Sequence, residues 1–283
     1  MLFSCRTDMA DEAGKLWNRS AGENTQLDGV IARTEKLEGL DVTAVEITGE
    51  EGERALGKAR GKYFSLDLPQ HFDRGSDSFI PAVKALTELI CRCAPQTESV
   101  LVAALGNPDI TPDALGGLAA SSILVTRHLK RQEAEEFTAF ASLALCRPGV
   151  LGTSGMETAL QIGVLCRELQ PGLVIAIDAL AGSEPERLCR AVQVSDAGIS
   201  PGSGVGNDRQ ELSRRSLGIP VVSVGIPTVI DAGNFGGEEL RGMFVTPRSI
   251  DAFVRAGARL IGYAVDLAVH RGLSVSDIDV LLG

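Results

Sequence analysis

Three short runs of consecutive apolar residues, Ser99–Leu105, Leu173–Ile177 and Pro220–Val224, constrain this chain more than anything else in it. None alternates with polar residues, so neither face of such a strand is built to meet water. Runs of this length, separated by stretches with helical spacing, are the pattern of parallel strands covered on both faces. Each stops abruptly, at Gly106, Asp178 and Gly225. Ala191–Ser195 reads as a further strand, Val42–Ile47 alternates as a half-buried strand would, and Tyr63–Leu68 is another short candidate. Phe79–Cys93 and Ser249–His270 have helical spacing, the latter after the start signal Thr246-Pro247, and a last start lies at Ser274 or Ser276. Glu50–Lys62 is charged and helix-like, Gln70–Ser78 reads as a loop, and residues 1–40 show no clear strand. The expected architecture is α/β: a three-layer α/β/α sandwich with a mostly parallel central sheet, an irregular N-terminal part and no linker dividing it.

Composition narrows the function classes. Aromatic residues make up only 4% of the 283, so the core must be built from Ala, Val, Leu and Ile. The formal net charge of −10 argues against direct contact with a nucleic-acid backbone, which needs clustered Lys and Arg. Cys5, Cys91, Cys93, Cys146, Cys166 and Cys189 form no CxxC pair, and His71, His128 and His270 are scattered, so no zinc site, no other metal and no cofactor are expected. Free thiols fit a reducing compartment. With no signal-peptide pattern and no apolar run of membrane-spanning length, a cytoplasmic place and no membrane contact are expected.

Ligands of open parallel sheets bind beyond the carboxyl ends of the strands. After the first run comes Leu105-Gly-Asn-Pro-Asp-Ile-Thr-Pro-Asp-Ala-Leu-Gly116, after the second Asp178-Ala-Leu-Ala-Gly182, after the third Gly225-Ile-Pro-Thr-Val-Ile-Asp231. Every edge segment carries a carboxylate and none a histidine. Thr111-Pro112-Asp113 reads as the N-cap and first two positions of a helix, where an acid gains roughly 0.3–1 kcal/mol. Asp178 can equally cap a helix after its strand. A cap is the plainer reading of either aspartate alone. Together, at the ends of separate core strands, they can share a site in which a helix N-terminus holds Asp113 ionised and apolar surroundings favour neutral Asp178. Such a pair can activate water against a carbonyl. Asp109, Glu157 and Asp231 are candidates to touch a substrate from the same edge, as are Arg127 and Arg209.

Other patterns are weaker. Gly202-Ser-Gly-Val-Gly206 lacks the third glycine of a dinucleotide loop and comes after Pro201 rather than a strand. Gly52-Glu-Arg-Ala-Leu-Gly57-Lys58 opens like a phosphate loop, but Ala59 stands where Ser or Thr is required and Glu53 lies inside the cradle.

Several segments resemble the germination proteases, in order and nearly end to end. They are Arg6-Thr-Asp-Met-Ala-Asp-Glu-Ala13, Leu105–Gly116, Val125-Thr-Arg-His128, Pro148-Gly-Val-Leu-Gly152, Ile175-Ala-Ile-Asp-Ala-Leu-Ala181, Gln193–Asn207 and Leu217–Asp231. The resemblance implies a fold similar to hydrogenase-maturation proteases and an aspartic-type endopeptidase that starts the degradation of small acid-soluble spore proteins in the forespore and spore core. It also implies a homotetramer and a self-processing zymogen. Its two catalytic aspartates fall on Asp113 and Asp178. Its substrate pattern, Thr-acid-apolar-Ala-x-Glu cut after the acid, matches Thr7-Asp8-Met9-Ala10-Asp11-Glu12. The expectation is a cut between Asp8 and Met9, giving a propeptide 1–8 and a single peptidase domain 9–283. The alternative is a metal-binding endopeptidase of the hydrogenase-maturation type, with the edge carboxylates as ligands.

Overall fold

In the computed structural model the three apolar runs lie together at the centre of one sheet. The structure describes residues 7–21, 27–132, 137, 139–202, 209–235 and 238–282. In chain order the elements are α1 (Ala10–Ala21), β1 (Val30–Leu37), β2 (Leu40–Ile47), α2 (Glu50–Leu56), β3 (Gly61–Asp67), α3 (Phe79–Cys93) and β4 (Ser99–Ala104). Then come α4 (Leu115–Ala119), α5 (Arg127–Arg131), β5 (Ser142–Cys146), α6 (Leu151–Ser154), α7 (Thr158–Leu169), β6 (Leu173–Gly182) and β7 (Ala191–Ser195). The chain closes with α8 (Arg214–Leu217), β8 (Val221–Asp231), β9 (Phe244–Val245), α9 (Ile250–Val269) and α10 (Val275–Leu282).

The strand order is β1-β2-β3-β7-β8-β6-β4-β5, with β9 paired to β8. The sheet is mixed, which corrects the expectation of a mostly parallel one. Parallel pairing is confined to β5-β4-β6-β8, where the helical crossovers are. The β1-β2-β3-β7 half joins β8 antiparallel, as does β9. The N-terminal part also holds a strand and a helix that its polar composition hides. β1 is an edge strand that exposes Arg33 and Lys36, and charged exposed residues are what keep an edge from pairing with another chain.

Consecutive core residues face opposite ways, as the period of two demands. Val100, Val102, Ile175, Ile177, Val222 and Val224 pack with α3, α4 and α9 on one face. Leu101, Ala103, Val174, Ala176 and Val221 pack with α7 on the other. Under the antiparallel half, Val45, Ile47 and Tyr63 meet α1 and α2 on that second face. Helices on both faces make three layers. Each fully buried Leu or Ile contributes roughly 1.5–3 kcal/mol, so the seam between these clusters is the rigid frame of the molecule. Among the described residues no helix is long and apolar enough to cross a membrane.

Two features prepare the carboxyl edge. β4 stops at Ala104, opposite Ile177, whereas β6 and β8 run on together through Gly182 and Ile230. Asp178 is therefore inside a strand, one residue past the point where its neighbour ends, and caps no helix. The first turn of α4 presses against those strand ends: a Cβ on Gly116 would lie 2.4 Å from the Leu105 carbonyl oxygen and 2.6 Å from that of Ile177. Both are backbone atoms of the frame. Gly116→Ala is expected to destabilise the protein by about 1–3 kcal/mol in urea unfolding, even though Ala gains roughly 1 kcal/mol over Gly in an open helix. An unchanged or raised midpoint would show that α4 has room to move.

Candidate active site

The turn after β4 folds back on itself. Gly106, at φ +92°, allows this: a Cβ there would fall 2.0 Å from the Asp113 carbonyl oxygen. Thr111–Asp113 is one turn of 3-10 helix, and α4 begins only at Leu115. Asp113 is thus not at the second position of an α-helix, and no helix dipole of useful length acts on it. Its carboxylate accepts a hydrogen bond from the Asn107 N–H at 2.8 Å. Burial pushes its proton affinity above the ordinary carboxylate value, while the Asn107 N–H and the Arg209 charge pull the other way. This departs from an Asp113 held ionised by a helix terminus.

Asp178 is 4% exposed and accepts from the Ala179 N–H at 3.0 Å. Its proton affinity is raised well above the ordinary value, first by burial, then by the nearby charges of Asp113 and Asp8; the Ala179 N–H and Arg209 oppose. Asp113, Asp178, Asp8 and Arg209 line one cavity of about 420 Å³, with apolar walls that include Leu105, Val150 and Leu180. A second cleft of about 500 Å³ is also lined by Asp8 and Asp178, together with Lys58, Tyr63 and Gln193.

The other residues singled out from sequence are spread out. Asp109 is exposed and its N–H donates to the Asn107 side chain. Asp231 is buried at the end of β8, where it accepts from the N–H groups of Gly233 and Gly242 and so shapes the loop beyond that strand. Glu157 precedes α7 and lines a separate surface groove. Neither Asp109, Asp231, Glu157 nor Arg127 lines the cavity of the two aspartates, whereas Arg209 does. Residues 203–206 of the glycine-rich loop lie outside the described residues. Among the described residues no three His, Cys, Asp or Glu side chains are grouped as a metal site.

The N-terminal segment reads in sequence only as a processing site, yet it is built into this edge. The Asp8 N–H donates to the Ala181 carbonyl at 2.8 Å, and the Asp8 carboxylate accepts from the Ala181 N–H at 2.9 Å. Met9 is fully buried against Leu180 and Ala191. Asp11 pairs with Arg187 and accepts from the Ser65 hydroxyl at 2.8 Å. Glu12 accepts from the Ser183 N–H at 2.6 Å and from the Thr7 hydroxyl at 2.6 Å, and burial raises its proton affinity. Lys58, Gln193 and Arg187, which make these contacts or flank them, do not stand out in sequence as site residues. Gln193 carries a signal, being a polar residue amid the apolar run Ala191–Val194; Lys58 carries none beyond a phosphate-loop pattern that fails.

Two carboxylates of unequal proton affinity in one largely apolar cavity, beyond the end of a parallel strand, are equipped for hydrolysis by activated water. Sequence comparison gives the family. The germination protease model (peptidase family A25) matches residues 7–241. The germination protease of Caldanaerobacter subterraneus subsp. tengcongensis is 35% identical over 326 aligned positions, covering 100% of this chain and 99% of its own. That of Clostridium perfringens is 33% identical, covering 99% and 100%. The chain belongs to the germination protease family, a family of endopeptidases. Among solved structures, a [NiFe] hydrogenase maturation protease from Thermococcus kodakarensis aligns with 64% of this chain and 97% of its own, at 16% identity and a TM-score of 0.37. A likeness that loose carries no argument about the site.

The buried carboxylate has a measurable consequence. A group whose proton affinity is raised on folding contributes most to stability at low pH, and its contribution is lost as pH rises from the ordinary carboxylate value through the raised one. Asp178→Asn keeps an oxygen for the Ala179 N–H and removes the ionisation. The variant is expected to melt above the wild type at neutral pH, with the two curves converging below the ordinary carboxylate value. Equal melting temperatures at every pH would show that Asp178 is not held in a site that resists its charge.

Proposed function

We propose that this endopeptidase cuts with a water activated between Asp113 and Asp178. The observation that carries the reading is their shared cavity, in which burial raises both proton affinities and that of Asp178 further. Ionised Asp113 takes a proton from the water as its oxygen bonds to the peptide carbonyl carbon. Protonated Asp178 first polarises the carbonyl; as the C–N bond breaks, its proton passes to the leaving amine. The two carboxyls titrate as a unit. Asp113 has the better claim to the base, since its proton affinity is raised less than that of Asp178.

The substrates proposed are small acid-soluble spore proteins, met in the forespore and spore core, with the enzyme acting as a homotetramer. The family membership supports this. The chain's own Asp8–Met9 bond is proposed as the first one cut, separating residues 1–8 from a peptidase domain 9–283. Asp8 lines the cavity of Asp113 and Asp178, which supports that choice.

Asp113→Asn and Asp178→Asn are each expected to slow both self-cleavage and cutting of a peptide containing Thr-Glu-Phe-Ala-Ser-Glu by roughly 10²–10⁴-fold, with an unchanged circular dichroism spectrum. Activity should fall as pH rises through the raised Asp178 value, because the proton donor is then lost. N-terminal sequencing locates the self-cut. Full activity in either variant refutes the pair, and an intact Met1 end in active enzyme refutes the Asp8–Met9 cut.

A further inference from the structure

We propose that the seat occupied by Asp8 is the pocket that selects an acidic residue immediately before the cut bond, with Lys58 reading its charge and Gln193 clamping the backbone on either side. The assignment rests on the reading that Asp8–Met9 is a bond this enzyme cuts.

Each group of the segment meets matching chemistry. The Asp8 carboxylate accepts from the Ala181 N–H at 2.9 Å, and the Lys58 ammonium stands 3.9 Å from its other oxygen. The same ammonium donates to the Thr7 carbonyl at 2.9 Å, which fixes its position along the segment. The Gln193 side-chain N–H donates to the Asp8 carbonyl at 3.0 Å, while its oxygen accepts from the Ala10 N–H at 2.8 Å. One buried amide thus brackets Met9 and touches the carbonyl of the Asp8–Met9 bond itself. A donor at that oxygen is where charge develops when water adds. Met9 fills a closed apolar hole made by Leu180, Ala191 and Ile199.

Packing of α1 alone does not account for this. Ala10, Ala13 and Trp17 bind the helix to Val45, Ile47 and Leu56, and that contact starts only after Met9. Asp8 and Lys58 lie outside it, on the cleft shared with Asp178. The Lys58 side chain is only 17% exposed. Burial lowers its proton affinity, and the charges of Asp8 and Glu12 offset only part of that. A cation so placed needs an anion in the seat; a neutral side chain there leaves it unpaired. Discrimination against a neutral isostere is therefore built into the pocket, in the way that a site left with an unpaired polar group rejects the analogue lacking its partner.

The test uses the full chain and three peptides, Thr-Glu-Phe-Ala-Ser-Glu and its variants with Gln or Lys in place of the first Glu. Displacement of the chain's own segment is common to all three, so the ratio of their kcat/KM values reads the pocket alone. The wild type is expected to favour Glu over Gln by about tenfold or more. Lys58→Met should collapse that ratio, mainly through a raised KM for the Glu peptide, while the lost bond to the preceding carbonyl is common to all three peptides and cancels in the ratio. Lys58→Arg should keep the preference. Lys58→Glu should move it to the Lys peptide, and the same change should rescue self-cleavage of a chain carrying Asp8→Lys. A purely structural Lys58 would change stability and leave the ratio intact. An unchanged Glu-to-Gln ratio in Lys58→Met overturns the pocket and leaves the endopeptidase reading standing. A folded wild type that cuts none of the peptides overturns both. Should Lys58→Met fail to fold, Lys58→Arg and the Asp8→Lys, Lys58→Glu charge swap decide.

Discussion

A carboxyl group inside a strand that is buried on both faces is a standing conflict, and Asp178 is that group. Strand β6 is otherwise apolar for its whole length, because helices cover both of its sides. Two of the nearby ionisable groups, Asp113 and Asp8, are acids that make the conflict worse, and the Arg209 charge only partly offsets them. The surrounding chain tolerates this because the ladder to β8 holds Asp178 in place: Asp178 lies opposite Gly225, where a Cβ would come within 2.7 Å of the Asp178 carbonyl oxygen and of the Leu180 side chain. The backbone is held by partners that do not depend on the charge of the side chain, so the side chain can change its protonation without moving the strand.

The N-terminal segment is held in a different way. Its anchors are charges and amides: Asp11 with Arg187, Glu12 with Ser183 and Thr7, Asp8 with Ala181. One Glu12 oxygen and the Arg187 Nε are buried with no hydrogen-bond partner among the described residues. Buried pairs of this kind add little net stability, since desolvation offsets most of the attraction, but they strongly disfavour any other register. The segment is thus seated more specifically than tightly.

The parts of the fold legible in the sequence are those where the information is local. Two-sided burial leaves an uninterrupted apolar run, so β4 and the first half of β6 and β8 can be read directly. β7 is also visible, but its direction is not, because an antiparallel neighbour covered on both faces has the same composition as a parallel one. β1 carries Arg33, Thr34, Glu35 and Lys36 and looks like loop, since an edge strand has no apolar period to show. The start of α1 hides for the opposite reason: Asp11 and Glu12 are buried, and only distant residues make that possible. Asp113 and Asp178 stand out because each lies in the segment just beyond an apolar run. Their proton affinities are half legible: apolar surroundings announce Asp178, while the short 3-10 turn and the Asn107 contact that set Asp113 depend on the fold of one loop.

The two aspartates and the acid seat are coupled by charge. The Asp8 carboxylate is one of the causes that raise the proton affinity of Asp178. If the seat takes the acid of a bound peptide in the same way, that acid favours the protonated donor as it docks. By linkage, protonation of Asp178 in turn strengthens binding of the acid. A substrate with a neutral side chain at that position would then lose twice, once at Lys58 and again at Asp178, whose proton it does not help to retain. Selectivity and proton loading become one electrostatic event, since both result from placing a third carboxylate beside two that already resist ionisation.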